Sequence, residues 1–105
     1  MARFDVYANA GKSKKTTPFL IDVQSNVISG LATRIVIPLR SLNAFKNVEA
    51  PEDLFPTILV NGKKYLLDTP QLAAIPSQEL KEKVGTAAVS QTAILNALDR
   101  VFGSY

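Results

Sequence analysis

Few side chains in this sequence could assemble an active site. Asp22 stands inside the β-rich run Phe19-Leu20-Ile21-Asp22-Val23, the one acid placed among apolar strand residues. General acid–base catalysis by carboxylates needs two of them in one pocket, held at different pKa values. A single acid does not meet that need, so Asp22 is predicted to satisfy a turn or to pair with an arginine such as Arg34. The chain has no histidine and no cysteine. That removes imidazole general bases, thiolate nucleophiles, disulfides and the usual zinc ligands together. Serines and threonines are present without an imidazole partner or a G-x-S-x-G elbow. The glycines at 11, 30, 62, 85 and 103 match neither a dinucleotide nor a P-loop spacing. No catalytic residue, metal ligand or cofactor site is predicted, and the expected work is to bind another macromolecule.

Charge gives a weaker pointer. Twelve Lys and Arg against nine Asp and Glu leave a net charge of +3, which suits an acidic partner or nucleic acid, although so mild an excess is usually a solvated surface. Lys12, Lys14 and Lys15 cluster between Gly11 and Pro18 with Ser13, Thr16 and Thr17. No aromatic residue interleaves them, as single-strand binding requires, so the stretch reads as a solvated loop and no direct nucleic-acid binding is expected. The first ten residues carry Arg3 and Asp5 and lack the apolar run of a leader. No stretch approaches the ~20 apolar residues of a membrane span. A soluble, cytoplasmic protein without a membrane partner is the expectation. At 105 residues and 47% hydrophobic content, with no repeat and no linker-like segment, one domain over 1–105 is expected.

The elements that would position these groups follow from periodicity. Phe4-Asp5-Val6-Tyr7 reads as a first strand with its aromatics on one face, ending at Asn9-Ala10-Gly11. Phe19 to Val23 and the stretch holding Ile35-Val36-Ile37 read as core strands. Between them, the adjacent Val27 and Ile28 cannot both be buried by a period of two, so one of them should be exposed. Arg40 to Asp53 reads as irregular, with a turn at Pro51-Glu52-Asp53. Thr57 to Leu67 reads as a hairpin, because Asn61-Gly62 accommodates the positive φ angles of a type I′ turn. Gln71 to Pro76 reads as a short extended segment, and Ser77 to Lys83 as a charged connection. The period then changes. Val89, Ala93, Ile94, Ala97, Leu98, Val101 and Phe102 fall at helical spacing, predicting an amphipathic helix of about four turns. Thr86 or Ser90 is available to cap its start, and Gly103 to end it in the left-handed conformation.

The chain then reads Phe102-Gly103-Ser104-Tyr105, two aromatics where residues are usually frayed and polar. Phe102 packs into the core in one reading and anchors a partner in the other, since Tyr and Phe are enriched in interface cores.

The order of motifs resembles the CcdB family of plasmid and chromosomal toxins. The resemblance is carried by Phe4-Asp5-Val6-Tyr7, Phe19 to Ile28, Thr33 to Leu39, Leu54 to Ile58, Leu72 to Pro76 and Ile94 to Asp99, which together span nearly the whole chain. Its most specific pieces are Asp22-Val23-Gln24-Ser25 and Arg34-Ile35-Val36-Ile37-Pro38-Leu39. The resemblance implies a mostly β fold with a C-terminal α-helix, an SH3-like β barrel with a small accessory antiparallel sheet, assembled as a homodimer. It also implies a role in plasmid maintenance, in which a toxin binds the A subunit of DNA gyrase, traps the cleaved DNA complex and is neutralised by a CcdA-like antitoxin. Carried over by position, the gyrase-contacting residues would be Phe4, Ser25, Val27, Ile28, Asp99, Phe102, Gly103, Ser104 and Tyr105, and Val101 would lie at the dimer interface. Known members end in Trp-Gly-Ile or a close variant. Ungapped from the helix, Gly103-Ser104-Tyr105 stands there instead; shifted by one, Phe102-Gly103 imitates Trp-Gly. Two alternatives accompany this reading: a toxin ribonuclease of the MazF and Kid type, which shares the barrel and would have to draw on Arg34, Arg40 and Asp22, and a relative that binds its antitoxin without poisoning gyrase.

Overall fold

In the computed structural model the described residues are 2–11, 13–26, 30–45 and 51–103. Val27 and Ile28, and with them the expectation that one is exposed, lie outside these, as do Ser104 and Tyr105. Seven antiparallel strands form a single sheet: β1 (Asp5–Ala8), β2 (Phe19–Asp22), β3 (Thr33–Ser41), β4 (Thr57–Val60), β5 (Lys63–Leu67), β6 (Ala73–Pro76) and β7 (Lys83–Thr86). The order is β4-β5-β3-β2-β1-β7, with β6 joined separately to β3. Helix α1 (Gln91–Phe102) follows.

The long strand β3 organises the sheet. Along one edge it pairs with β2, Ile21 opposite Ile37. Along the other it pairs first with β6, Arg34 opposite Ile75, and then with β5, Ser41 opposite Tyr65. One strand therefore serves both the main curl of the sheet and the accessory β3–β6 pair. The sheet curls far enough that a Cβ placed on Gly85 of β7 would lie 3.9 Å from Asn61 Oδ1, at the tip of the β4–β5 hairpin. Its two ends thus approach, giving the half-barrel of an SH3-like fold with a C-terminal helix. The hairpin turn has the predicted chemistry, with φ of 51° at Asn61 and 82° at Gly62.

Alternation sends Val6, Ile21, Ile37, Leu39, Ile58 and Leu67 to one face, where they form the main core with Ile94 and Ala97 of α1. Tyr7 and Val36 point to the other face and pack with Leu80, Leu20 and Ile75. Phe4 and Tyr7 therefore do not share a face. Phe4 precedes β1 with φ of 73°, and that left-handed residue turns its ring into the helix-side core. The segment read as a charged connection contains a 3₁₀ turn at Ser77–Glu79 and the buried Leu80, and its last residue, Lys83, opens β7. Arg40 and Ser41, read as irregular, continue β3, and a 3₁₀ turn spans Leu42–Phe45. The predicted turn at Pro51 forms, Leu54 and Phe55 N–H both donating to Pro51 O.

The helix is just over three turns long. Its buried stripe is Ile94 and Ala97, flanked by the half-buried Leu98 and Val101. Val89 belongs to a separate 3₁₀ turn, Ala88–Ser90, and is 96% exposed because it has no helical phase to place it over the core. Ser90 occupies the N-cap position without a side-chain bond, whereas Thr86 Oγ1 accepts from Ala88 N–H at 3.2 Å. Gly103 ends the helix at φ 74°, its N–H donating to Asp99 O. No helix among the described residues is long and apolar enough to cross a membrane.

Candidate functional site

The candidate catalytic groups are engaged with one another. Arg34 Nε donates to Asp22 Oδ2 at 2.9 Å and Nη2 to Asp22 Oδ1 at 3.0 Å, with the side chains 1% and 0% exposed. Asp22 Oδ1 also accepts from Gln24 N–H at 3.1 Å. The acid thus does both things predicted of it, forming a turn and pairing with Arg34. Asp22 is not the one buried acid, however: Asp5 and Asp68 are each 6% exposed. Asp5 meets Lys83 Nζ at 3.4 Å. Asp68 accepts from Arg40 Nε at 2.8 Å, and Arg40 Nη1 donates to Thr17 Oγ1 at 2.6 Å. Sequence spacing could not have shown that pair, since 28 residues separate its members. Each of these carboxylates has its own cation; Asp5 and Asp22 are neighbours across β1 and β2 and both act on Tyr7, whereas Asp68 is held elsewhere by Arg40. Among the described residues no group of three or more potential ligands could hold a metal ion.

Tyr7 lies over the Asp22–Arg34 pair on the same face of the sheet. Its pKa is raised above the ordinary value, first by burial and then by the carboxylates of Asp5 and Asp22, with Arg34 opposing. The proton therefore stays on the phenol through neutral pH.

The residues expected to contact a partner are divided between the two ends of α1. At the N-terminal end, Phe4 N–H donates to Asp22 O at 2.6 Å and Phe4 O accepts from Ala87 N–H at 2.7 Å. Its ring is only 6% exposed, so Phe4 ties the end of β2 to the start of the helix from inside the core instead of offering a contact surface. Arg3 fastens the same corner. Its Nε donates to Val23 O and its N–H to Asn26 Oδ1, both at 2.9 Å, and its guanidinium lies 5.0 Å from the centre of the Phe4 ring. This fixes the approach to Ser25, which is exposed at the start of the β2–β3 turn. Neither Arg3 nor Asn26 was marked by the sequence reading, and the only local signal is that they flank the Phe4 and Ser25 positions.

At the C-terminal end, Asp99 and Phe102 are one turn apart on the solvent side of α1, with Leu95 half-buried one turn earlier in the same stripe. Phe102 is 68% exposed. At 3.6 residues per turn it stands about 80° round the helix from Ile94, far enough to leave the buried stripe. It is thus an exposed aromatic ring directly before the left-handed Gly103. Val101 faces inward beside Leu98.

The structure is thus a small half-barrel with a helix across it, its buried carboxylates Asp5, Asp22 and Asp68 each paired with a cation and an aromatic displayed at the helix end. The model of the CcdB protein family matches residues 3–103, and the chain belongs to that family, the CcdB toxins of toxin–antitoxin systems. Among solved structures, a mycobacterial endoribonuclease in complex with its cognate antitoxin shares the fold, at a TM-score of 0.76 over 98% of this chain and 95% of that one, with 14% sequence identity.

Proposed function

We propose that this family member is a non-enzymatic toxin that binds the A subunit of DNA gyrase as a homodimer and holds the enzyme in its cleaved, DNA-linked state. A cognate antitoxin would neutralise it. Poisoning of this kind is differential binding: the toxin need only favour the cleaved, open conformer over the resealed one, and the chemistry belongs to gyrase. The observation that carries the reading is the exposed stripe of Asp99 and Phe102 on α1. An exposed aromatic there supports the register in which Phe102-Gly103 takes the part of Trp-Gly. Val101, on the inward side of the same turn, is the position through which two helices would meet across the dimer axis.

The three residues that the ribonuclease alternative would draw on are already engaged. Asp22 and Arg34 are buried against each other, and Arg40 is held by Asp68 and Thr17.

The test is a supercoiling reaction with purified gyrase. The protein is expected to accumulate linear DNA after denaturation of the complex. Phe102→Ala should lower potency at least about tenfold, as loss of a buried interface aromatic does, while changing stability by no more than about 0.5 kcal/mol because the ring is exposed in the free protein. Complete supercoiling without cleaved product at high protein concentration would overturn the proposal.

A further inference from the structure

The loop that the sequence reading left as solvated takes on a second meaning in the fold. Ser41, the last residue of β3, donates its N–H to Thr16 O at 2.9 Å on one side and pairs with Tyr65 of β5 on the other. The turn leading to that contact is itself closed, Thr16 and Thr17 N–H both donating to Ser13 O, and Arg40 pins Thr17 from below. Lys14 and Lys15 are thereby brought to one flank of the β3 terminus and Lys63 and Lys64 to the other. With strands about 4.8 Å apart, the two flanks stand on the order of 10 Å from each other across Ser41. All four lysines are exposed, and none takes part in an ion pair among the described residues. Asp68, which Arg40 holds beside Thr17, is already neutralised by that arginine. Beside the Lys63–Lys64 flank is a cavity of about 260 Å³ lined by Ser41, Leu42, Asn43, Lys63, Lys64 and Tyr65, with Leu42 43% exposed; Lys14 and Lys15 stand outside its lining.

We infer that this surface docks an extended acidic peptide segment that seats an apolar side chain beside Leu42. Two observations favour a peptide over a nucleic acid. Among the described side chains lining the niche none is free to stack on a base: Tyr65 is 9% exposed and meets Phe19 edge-on at 5.1 Å, and base stacking is what single-strand binders rely on. Nor is a guanidinium fork free to grip phosphate, because Arg40 is committed to Asp68 and Thr17. Compact ammonium groups around an apolar niche match carboxylates interspersed with an aliphatic residue. That the segment comes from a neutralising antitoxin rests on the function proposed above; the chemistry of the surface does not.

Fluorescence anisotropy decides the matter, with a short labelled peptide of Asp, Glu and Leu as probe and a labelled single-stranded DNA of equal charge as the second arm. The peptide is expected to bind, and to weaken as salt screens the charges. Combined Lys14→Glu, Lys15→Glu, Lys63→Glu and Lys64→Glu should raise Kd at least about tenfold, with the far-ultraviolet circular dichroism unchanged since all four side chains are in solvent. Leu42→Asn should raise it about threefold and leave the salt dependence as it was. Failure of the wild-type protein to bind the peptide, an unchanged Kd after charge reversal, or tighter binding of the DNA would each overturn the assignment. The readout contains no gyrase, so its failure and a failure of gyrase poisoning are separate results.

Discussion

The two faces of the sheet bury their side chains by different means. Toward α1 the interior is mainly apolar, Val6, Ile21, Ile37, Leu39, Ile58 and Leu67 meeting Ile94 and Ala97. On the opposite face a smaller apolar set, Tyr7, Val36 and Leu80, shares the space with the Asp22–Arg34 ion pair. Burial of apolar surface is non-directional and tolerates exchange between residues of similar volume. A buried ion pair does not, because each charge is acceptable only while its partner is in place. Arg34 Nη1 has no hydrogen-bond partner among the described residues, so even the intact pair does not fully repay desolvation of the guanidinium. The helix face supplies stability; the opposite face fixes how the end of β2, with Gln24 bonded to Asp22 and to Ile35 N–H, enters the turn that carries Ser25.

The contrast is open to direct attack. Removing one member of the pair, by Asp22→Leu or Arg34→Met, is expected to cost about 3 to 5 kcal/mol in urea unfolding, whereas the double variant should recover more than half of that loss. A double variant as unstable as the worse single one would show that the pair stabilises the fold on its own account. On the helix face, Ile37→Ala should cost about 2 to 5 kcal/mol through the cavity it leaves, with Ile37→Val costing about 1 kcal/mol. If Ile37→Ala cost no more than Ile37→Val, the helix-side core would not be close-packed as described. The smallest effect belongs to Tyr7. Its folded-state pKa is raised, so the stability linked to its proton is fully present below the unfolded value near 10.0. It is lost as pH rises from there through the folded value, because over that window only the unfolded chain gives up the proton. Tyr7→Phe should flatten this alkaline decline, and a decline of equal slope in the variant would assign it to other groups.

Which parts of this were legible in the sequence follows from the range of the interactions. The Asn61-Gly62 hairpin and the helix from Gln91 were readable because turn chemistry and period act over a few residues. Strand β7 was not, since Lys83-Val84-Gly85-Thr86 has no strand pattern of its own. It exists by pairing with β1, and the register slip between Val6 and Tyr7 accommodates Val84 as an additional residue. Phe4 was expected on the contact surface and lies in the core, because a single left-handed residue reverses which side its ring faces, and no alternation rule anticipates that. The surface proposed for an acidic peptide was invisible in the same way: Lys14 and Lys64 are neighbours only through Ser41.

By itself the sequence determined that histidine and cysteine are absent, how much apolar side chain is available for burial, and the local elements whose signals are contained within a turn or two of chain. It also carried the motif order of the CcdB family. Only the tertiary structure decided which carboxylate met which cation, which face of α1 was left to display Phe102, and which lysines came to flank Ser41. Those outcomes depend on pairing between residues tens of positions apart, where no local propensity distinguishes one partner from another.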